Sequence, residues 1–254
     1  MGRHPLSRLG ALALVLVPAL SLAAGPSLSG RVSLFRRGED GARVRVEDAS
    51  GVLVYVTGFE APAPEGPAPR MEQRDKAFVP EVLPVVKGQS VDFVNMDAVL
   101  HNVFSPSTAA AAPGGKMDLG KYKGPGRVVR YEFRRTGLVD LYCDIHESMR
   151  ATVLVLPNPA FAHARADGTF SFPKDLPSPQ AAQGLEAHLQ RAGRVKVFAW
   201  AKGARAPASA EVEVTAGAAS PAVVLELELK PGEGEPHPDK HGRPYASHPP
   251  GYGQ

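Results

Sequence analysis

Short runs of alternating hydrophobic and polar residues recur along most of the chain, which predicts a protein built from β-strands. The N-terminal part predicts two or three strands within residues 30–59, separated by glycines. Further runs that predict strands are 71–78, 90–95, 129–134, 137–143, 151–156, 194–200, 210–214 and 222–229. The only helical pattern is a short one over 182–192, ended by Gly193. The fold class predicted from these patterns is all-β.

Proline and glycine separate the predicted strands. The chain has 254 residues, of which 26 are Gly and 25 are Pro, too many for long helices. Hydrophobic residues make up 43%, which allows a packed core. Residues 61–69 predict a proline-rich linker, and the Ala-rich stretch 105–126 predicts a long surface loop. The segment 231–254 is rich in Pro, Gly and His without an apolar period, so we expect it to be disordered.

The first 24 residues have the pattern of a secretory signal peptide. Arg3 and Arg8 precede an apolar run that is too short to span a membrane, and Ala23 and Ala24 offer small residues for cleavage. We therefore expect export to the periplasm or the medium, with no membrane span in the mature chain. Without residues 1–24 the chain keeps 27 basic and 26 acidic residues, a net charge of +1. Together with the lack of a basic stripe, this argues against a nucleic-acid partner.

Candidate chemistry is concentrated around the only cysteine. Cys143, His146 and Met149 follow one another at three-residue intervals, and they offer a thiolate, an imidazole and a thioether, donors that suit copper. Val139 and Leu141 share the two-residue period with Cys143, so the thiol should come from the core side of a strand. An exported protein usually pairs its cysteines, and the alternatives are a buried inert thiol or an intermolecular disulfide.

A fourth ligand has to come from elsewhere in the chain. His101 follows a predicted strand and lies 42 residues before Cys143, far enough for intervening strands to bring the two together. Asn102 is the candidate for a hydrogen bond that steadies the ligand loops. A His2Cys plane with a long axial Met is the blue-copper pattern. Weaker candidates are the thioethers of Met96 and Met117 and the histidines of the C-terminal segment, His237, His241 and His248.

Residues 70–157 resemble the cupredoxins, in particular plastocyanin, pseudoazurin and amicyanin. The resemblance rests on residues 85–88, residues 91–95, the run His101-Asn102-Val103 and the spacing Cys143-x2-His146-x2-Met149. The wider run, with residues 118–120 and 146–151, is similar to bacterial plastocyanin-like proteins of the methylamine-utilisation type.

The resemblance implies a Greek-key β-sandwich with one copper, cycling between Cu+ and Cu2+, bound at one end. It implies His101, Cys143, His146 and Met149 as ligands. The ring of His146, in the loop at the end of the sandwich, would be the exit for the electron. The partners implied are redox proteins such as a c-type cytochrome or a dehydrogenase.

Residues 158–230 predict a second β-unit, which resembles the transthyretin-like carboxypeptidase-regulatory sandwich. The strands of 30–59 belong either to it or to the copper unit. The predicted domains are thus a signal peptide (1–24), an N-terminal β-segment with linker (25–69), a copper domain (70–157), a C-terminal β-domain (158–230) and a disordered tail (231–254).

Two functions are consistent with these features. The first is a type 1 copper protein that transfers single electrons between periplasmic partners and is not an enzyme. The alternative is a non-redox copper-binding or surface interaction protein, in which the metal is delivered or structural. A copper enzyme would need a second metal centre with an open position, and no His cluster outside the tail is available to build one.

Overall fold

The computed structural model describes residues 26–106, 117–215, 220–231 and 237–245, so the predicted signal peptide lies outside the described residues. As the alternating pattern predicts, strands dominate the regular structure of the described residues, which include a single helix. The strands are β1 (Leu28–Arg37), β2 (Arg43–Val46), β3 (Leu53–Thr57), β4 (Arg70–Arg74), β5 (Ala77–Val79), β6 (Val82–Val86), β7 (Ser90–Asn95), β8 (Leu100–Ser105), β9 (Met117–Lys123), β10 (Arg127–Glu132), β11 (Gly137–Tyr142), β12 (Arg150–Leu156), β13 (Phe161–His163), β14 (Thr169–Phe172), β15 (Arg194–Trp200), β16 (Ala208–Glu213) and β17 (Val223–Glu228). The predicted all-β class is confirmed.

Strands β4–β12 form a first sandwich of two sheets. One sheet has the order β10-β7-β4-β5 and the other the order β6-β12-β11-β8-β9. The inward faces meet in an apolar core that includes Phe93, Phe133, Leu141 and Val153, all fully buried. Parallel pairs, β4 with β7 and β6 with β12, occur beside antiparallel ones, so strands distant in sequence become neighbours.

A second sandwich combines strands that precede the first one in the sequence with strands that follow it. Its sheets have the orders β14-β1-β17, with β2 also paired to β1, and β13-β3-β15-β16. Strand β1 pairs in parallel with β17, almost two hundred residues away in the chain. Phe170, Phe172, Leu185 and Val197 belong to its core. The N-terminal strands thus pair with the C-terminal ones, which the sequence had left open.

The single helix of the described residues, α1 (Pro179–Arg191), covers one side of the second sandwich. The side chain of Ser178 accepts a hydrogen bond from the Ala181 amide, and Pro179 occupies the first turn, where its missing N–H is harmless. Leu185 and Leu189 are buried on its inner side. The helix therefore begins three residues before the predicted range 182–192. The capping residues Ser178 and Pro179 lie ahead of the apolar pattern from which that range was predicted.

A small apolar cluster joins the two sandwiches. Leu154 and Leu156, on β12, pack with Leu53 and Trp200 of the second sandwich. At the surface beside it, Lys87 Nζ lies 2.8 Å from a carboxylate oxygen of Glu60. Trp200 is thus a buried residue of this cluster.

Parts of two stretches that the sequence assigned to loop or disorder have a defined structure. The predicted loop 105–126 contains strand β9, which pairs with β8 and buries Met117 and Tyr122. Within the predicted disordered tail, residues 237–245 pack against the first sandwich, with His237 and Asp239 buried. In both segments, the few apolar or aromatic side chains pack on a surface of the first sandwich. The local hydrophobic pattern of a segment does not show that such a surface is available.

Candidate metal centre

Neighbouring strands bring His101 and Cys143 together. His101 is the second residue of β8, and Cys143 directly follows β11. In the antiparallel register Tyr142 lies opposite Phe104, so the chain beyond Tyr142 runs back towards His101. A register shift between Asn102 and Phe104, where β8 pairs with β9, marks an irregularity directly after the histidine. Such irregularities commonly re-aim side chains beside functional sites.

The orientation of His101 is set by a carboxylate that the sequence analysis missed. Nε2 of His101 lies 2.8 Å from Oδ2 of Asp97. The same carboxylate accepts hydrogen bonds from the backbone amides of Asp75, at 2.8 Å, and Lys76, at 3.0 Å. A proton held on Nε2 leaves the lone pair of Nδ1 free to bind a metal. The only sequence signal was an acidic residue four positions before the histidine.

Burial and this carboxylate act on the charge of His101 in opposite directions. Burial lowers the pKa of His101, and the hydrogen bond and the charge of Asp97 oppose that shift without cancelling it. For Asp97, burial raises the pKa, but the amides of Lys76 and Asp75 and the ring of His101 outweigh it and lower it on balance. Near neutral pH the pair is therefore a carboxylate and a neutral imidazole, the form that binds metal.

Cys143 supplies a fully buried sulfur and forms no disulfide. Burial raises the pKa of the Cys143 thiol, while backbone N–H groups of Asn102, Ile145 and His146 favour the thiolate. A free thiol at this depth would be inert, but amides directed at the sulfur prepare it for a charged state. A bound cation would complete that preparation, because a coordinating thiol loses its proton.

A short closed loop carries the other two candidate ligands. The amide of Met149 donates to the carbonyl of His146 at 3.1 Å, and the amide of Cys143 donates to the carbonyl of Met149 at 3.3 Å. Met149 is fully buried in the same apolar cluster as Cys143. The loop thus turns Met149 back towards the core, while His146 keeps a partly exposed side chain.

Asn102 ties the histidine strand to the cysteine loop. Its Oδ1 accepts a hydrogen bond of 2.7 Å from the Asp144 amide, directly after the cysteine. Its carbonyl accepts a hydrogen bond of 3.2 Å from Gln73, on β4. Asn102 therefore links strand β8 to the cysteine loop through its side chain and to β4 through its backbone.

Three donor atoms converge on one point. Nδ1 of His101 lies 3.1 Å from Nδ1 of His146, and Sγ of Cys143 lies 3.8 Å from the same nitrogen of His146. All three atoms fall within 4.8 Å of one another. Within the described ranges, no other group of three His, Cys, Asp or Glu side chains converges in this way. Two imidazole nitrogens with one sulfur are a donor set that fits copper.

The weaker candidates lie on other segments of the chain. Met117 is paired with Ser105, at the opposite end of β8 from His101. Met96 follows β7 and is partly exposed. His237 and His241 belong to no converging donor group among the described residues, and His248 lies outside them.

Fold and donor set together define a class, that of small copper-binding β-sandwich proteins. Residues 69–156 match the family of copper binding proteins, plastocyanin/azurin family. The match begins and ends almost with β4 and β12, so it covers the first sandwich and not the second. The predicted resemblance to the cupredoxins is confirmed for this part of the chain, and its cofactor is copper.

Solved structures similar to the chain include other copper proteins. A reduced amicyanin in which a proline is replaced by phenylalanine is 22% identical, over 35% of this chain and 82% of that one, with a TM-score of 0.32. A Cu(I) amicyanin in which a methionine is replaced by alanine is 19% identical, over 41% and 98%, with a TM-score of 0.33. The copper-containing nitrite reductase of Thermus scotoductus SA-01 is 23% identical, over 40% of this chain and 25% of that one, with a TM-score of 0.32. At these values the similarities carry no argument about function. No curated protein matches the chain.

Proposed function

We propose that the chain is an exported one-electron carrier with a type 1 copper site. The residues that would hold the copper are His101, through Nδ1, Cys143, through Sγ, and His146, through Nδ1, with the thioether of Met149 as the fourth donor. The observation that carries the proposal is the convergence of the first three atoms within 4.8 Å in a largely buried setting. The match to the plastocyanin/azurin family supports it.

Bound copper supplies the chemistry by cycling between Cu+ and Cu2+. The chain contributes rigidity. His101 lies on β8 and Cys143 directly follows β11, and each of these strands is paired with a neighbouring strand on both sides. The Asp97 and Asn102 hydrogen bonds hold the His101 ring and the cysteine loop in place. Ligands that cannot move far keep the two oxidation states in similar geometries, so little rearrangement opposes electron transfer.

His146 is the proposed exit for the electron. The other three proposed ligands are fully buried, whereas the His146 ring is partly exposed. It borders a shallow depression lined by Lys76, Glu147, Ser148 and Arg150. Partners of the kind proposed, a c-type cytochrome or a dehydrogenase, would dock over this depression.

The proposed carrier is not an enzyme and acts in the periplasm or outside the cell. Four protein ligands would leave no open position on the copper for a substrate. The predicted signal peptide supports export, and none of the described helices is long and apolar enough to cross a membrane. The boundary between a copper-binding domain (70–157) and a flanking β-domain built from 28–57 and 158–230 is part of the same proposal.

The test is the visible spectrum of the full chain loaded with Cu(II), followed by voltammetry. We expect an intense thiolate-to-copper charge-transfer band and a reversible one-electron couple. Cys143→Ser should abolish the band, because that transition needs a sulfur donor. A colourless copper complex of the parent, or a Cys143→Ser protein that stays blue, would overturn the proposed site and favour the non-redox alternative.

A further inference from the structure

Residues 237–245 form a compact turn that we call the C-terminal clasp. The buried carboxylate of Asp239 accepts hydrogen bonds from the backbone amides of His241, at 2.9 Å, and Arg243, at 2.8 Å. The amide of Asp239 donates to the carbonyl of Arg243, also at 2.8 Å. An aspartate side chain that accepts hydrogen bonds from the backbone amides of its own turn holds a short polar segment in a defined conformation.

The clasp contacts the cysteine end of the proposed ligand loop. The hydroxyl of Tyr245 donates a hydrogen bond to the carbonyl of Cys143. The ring of His237 packs on Tyr142, with 4.1 Å between centroids, and lies 6.4 Å from Phe104. The clasp therefore covers the residue before the cysteine and holds the carbonyl of the cysteine itself.

The clasp also brings a positive charge to this corner. Nζ of Lys240 lies 2.8 Å from Oδ2 of Asp118 and 3.8 Å from Oδ2 of Asp144. Asp144 directly follows the cysteine, and its side chain is only 2% exposed. A buried carboxylate without a nearby cation is costly, so Lys240 stabilises the conformation in which Asp144 is turned inward.

We propose that the C-terminal clasp is the outer wall of the copper site, with Tyr245 and Lys240 as positioning residues for the Cys143 corner. Tyr245 fixes the backbone of the cysteine, and Lys240 fixes the residue after it. The clasp thus acts on copper through Cys143 without touching the metal. The inference rests on the proposed function only in taking Cys143 as a ligand.

The first arm of the test needs no metal. Amide hydrogen exchange of residues 143–149 is measured in the metal-free full chain, for the parent and for Tyr245→Phe and Lys240→Met. Losing one hydrogen bond or ion pair should speed exchange in this loop by about threefold to tenfold. Lys240→Arg keeps the charge and should retain the protection of the parent.

The second arm measures the rate at which the Cu(I)-loaded full chain loses copper to the chelator bicinchoninate. Tyr245→Phe and Lys240→Met should release copper faster by a similar factor. Two matched substitutions away from the loop, Tyr131→Phe and Lys87→Met, should leave both rates unchanged. Tyr131 packs on Phe133, and Lys87 pairs with the exposed Glu60.

The outcomes separate this inference from the proposed function. Faster exchange confined to 143–149 supports the proposed role of the clasp, whether or not the parent shows a charge-transfer band. A missing charge-transfer band would count only against the type 1 copper site. Unchanged exchange in both clasp variants would overturn the inference, whatever the colour of the protein. Faster exchange throughout β7 and β12 as well would also overturn it, because it would indicate a general loss of stability.

Discussion

The carboxylate of Asp97 offers a graded test of how this chain prepares a histidine for copper. It accepts three hydrogen bonds, with Oδ2 shared by His101 Nε2 and the Lys76 amide and Oδ1 taken by the Asp75 amide. In Asp97→Asn the single oxygen can keep the Oδ2 position and its two partners. The new NH2 group then faces the Asp75 amide, donor against donor. In Asp97→Ala all three bonds are lost.

These lost hydrogen bonds predict a smaller loss of copper affinity in Asp97→Asn and a larger one in Asp97→Ala. Removing a partner that orients a metal-bound histidine costs about 10–100-fold in affinity. Asp97→Asn, which still offers His101 a neutral acceptor, should lie near the lower value, or about 1.4 kcal/mol. Asp97→Ala should lie near the upper value, or about 2.7 kcal/mol. Both variants should also raise the reduction potential, because a less electron-rich imidazole stabilises Cu(II) less.

The assay is competition for Cu(II) against a chelator of known affinity, with thermal unfolding of the metal-free protein measured in parallel. Asp92→Asn is the matched control, since Asp92 pairs with Arg130 on the neighbouring strand β10 and contacts no proposed ligand. The reasoning would be refuted if both Asp97 variants bound copper with an affinity within about twofold of the parent. That loss would be far smaller than the roughly 10–100-fold expected when a partner of a metal-bound histidine is removed. The reasoning would also fail if Asp92→Asn weakened copper binding as much as Asp97→Asn.

Two further predictions concern the axial ligand and the exit route. Met149→Leu should keep the visible band but raise the reduction potential, because a weak donor to Cu(II) is lost while the volume is nearly conserved; voltammetry showing an unchanged potential would count against Met149 as a ligand. Ser148→Glu, beside the His146 ring, should slow electron self-exchange on the order of tenfold, since a larger charged side chain must be desolvated when two of these surfaces meet. Thr136→Glu is the control, at the far end of β11 and on the order of 20 Å from Cys143, and equal NMR line broadening in both variants would argue for another exit.

Features encoded over a few residues could be predicted from the sequence. The alternation of Val139, Leu141 and Cys143 predicted which face of β11 is buried, and the first two are buried residues of that strand. The three-residue spacing of Cys143, His146 and Met149 marked them as candidate ligands, and backbone hydrogen bonds close the loop that carries them. Periodicity suffices here, because a strand exposes alternate residues whatever lies across from it.

Features that depend on contacts between distant parts of the chain were decided only by the tertiary structure. The pairing of β1 with β17 requires that the whole first sandwich be looped out between them. Asp97 became a partner of His101 because the turn at Asp75 and Lys76 holds its carboxylate in place. Neither arrangement leaves a mark on the local pattern of hydrophobic residues.

The C-terminal segment shows the difference most clearly. Its composition predicts disorder, because Pro, Gly and charged residues cannot build a core of their own. Residues 237–245 instead pack on a surface that already exists, using the rings of His237 and Tyr245 and the charge of Lys240. By itself, then, the sequence determined most of the strands, though not β9, together with the copper-binding family and the candidate ligands. The tertiary structure decided what surrounds and holds those ligands, because burial of one segment against another depends on a surface that exists only once the chain has folded.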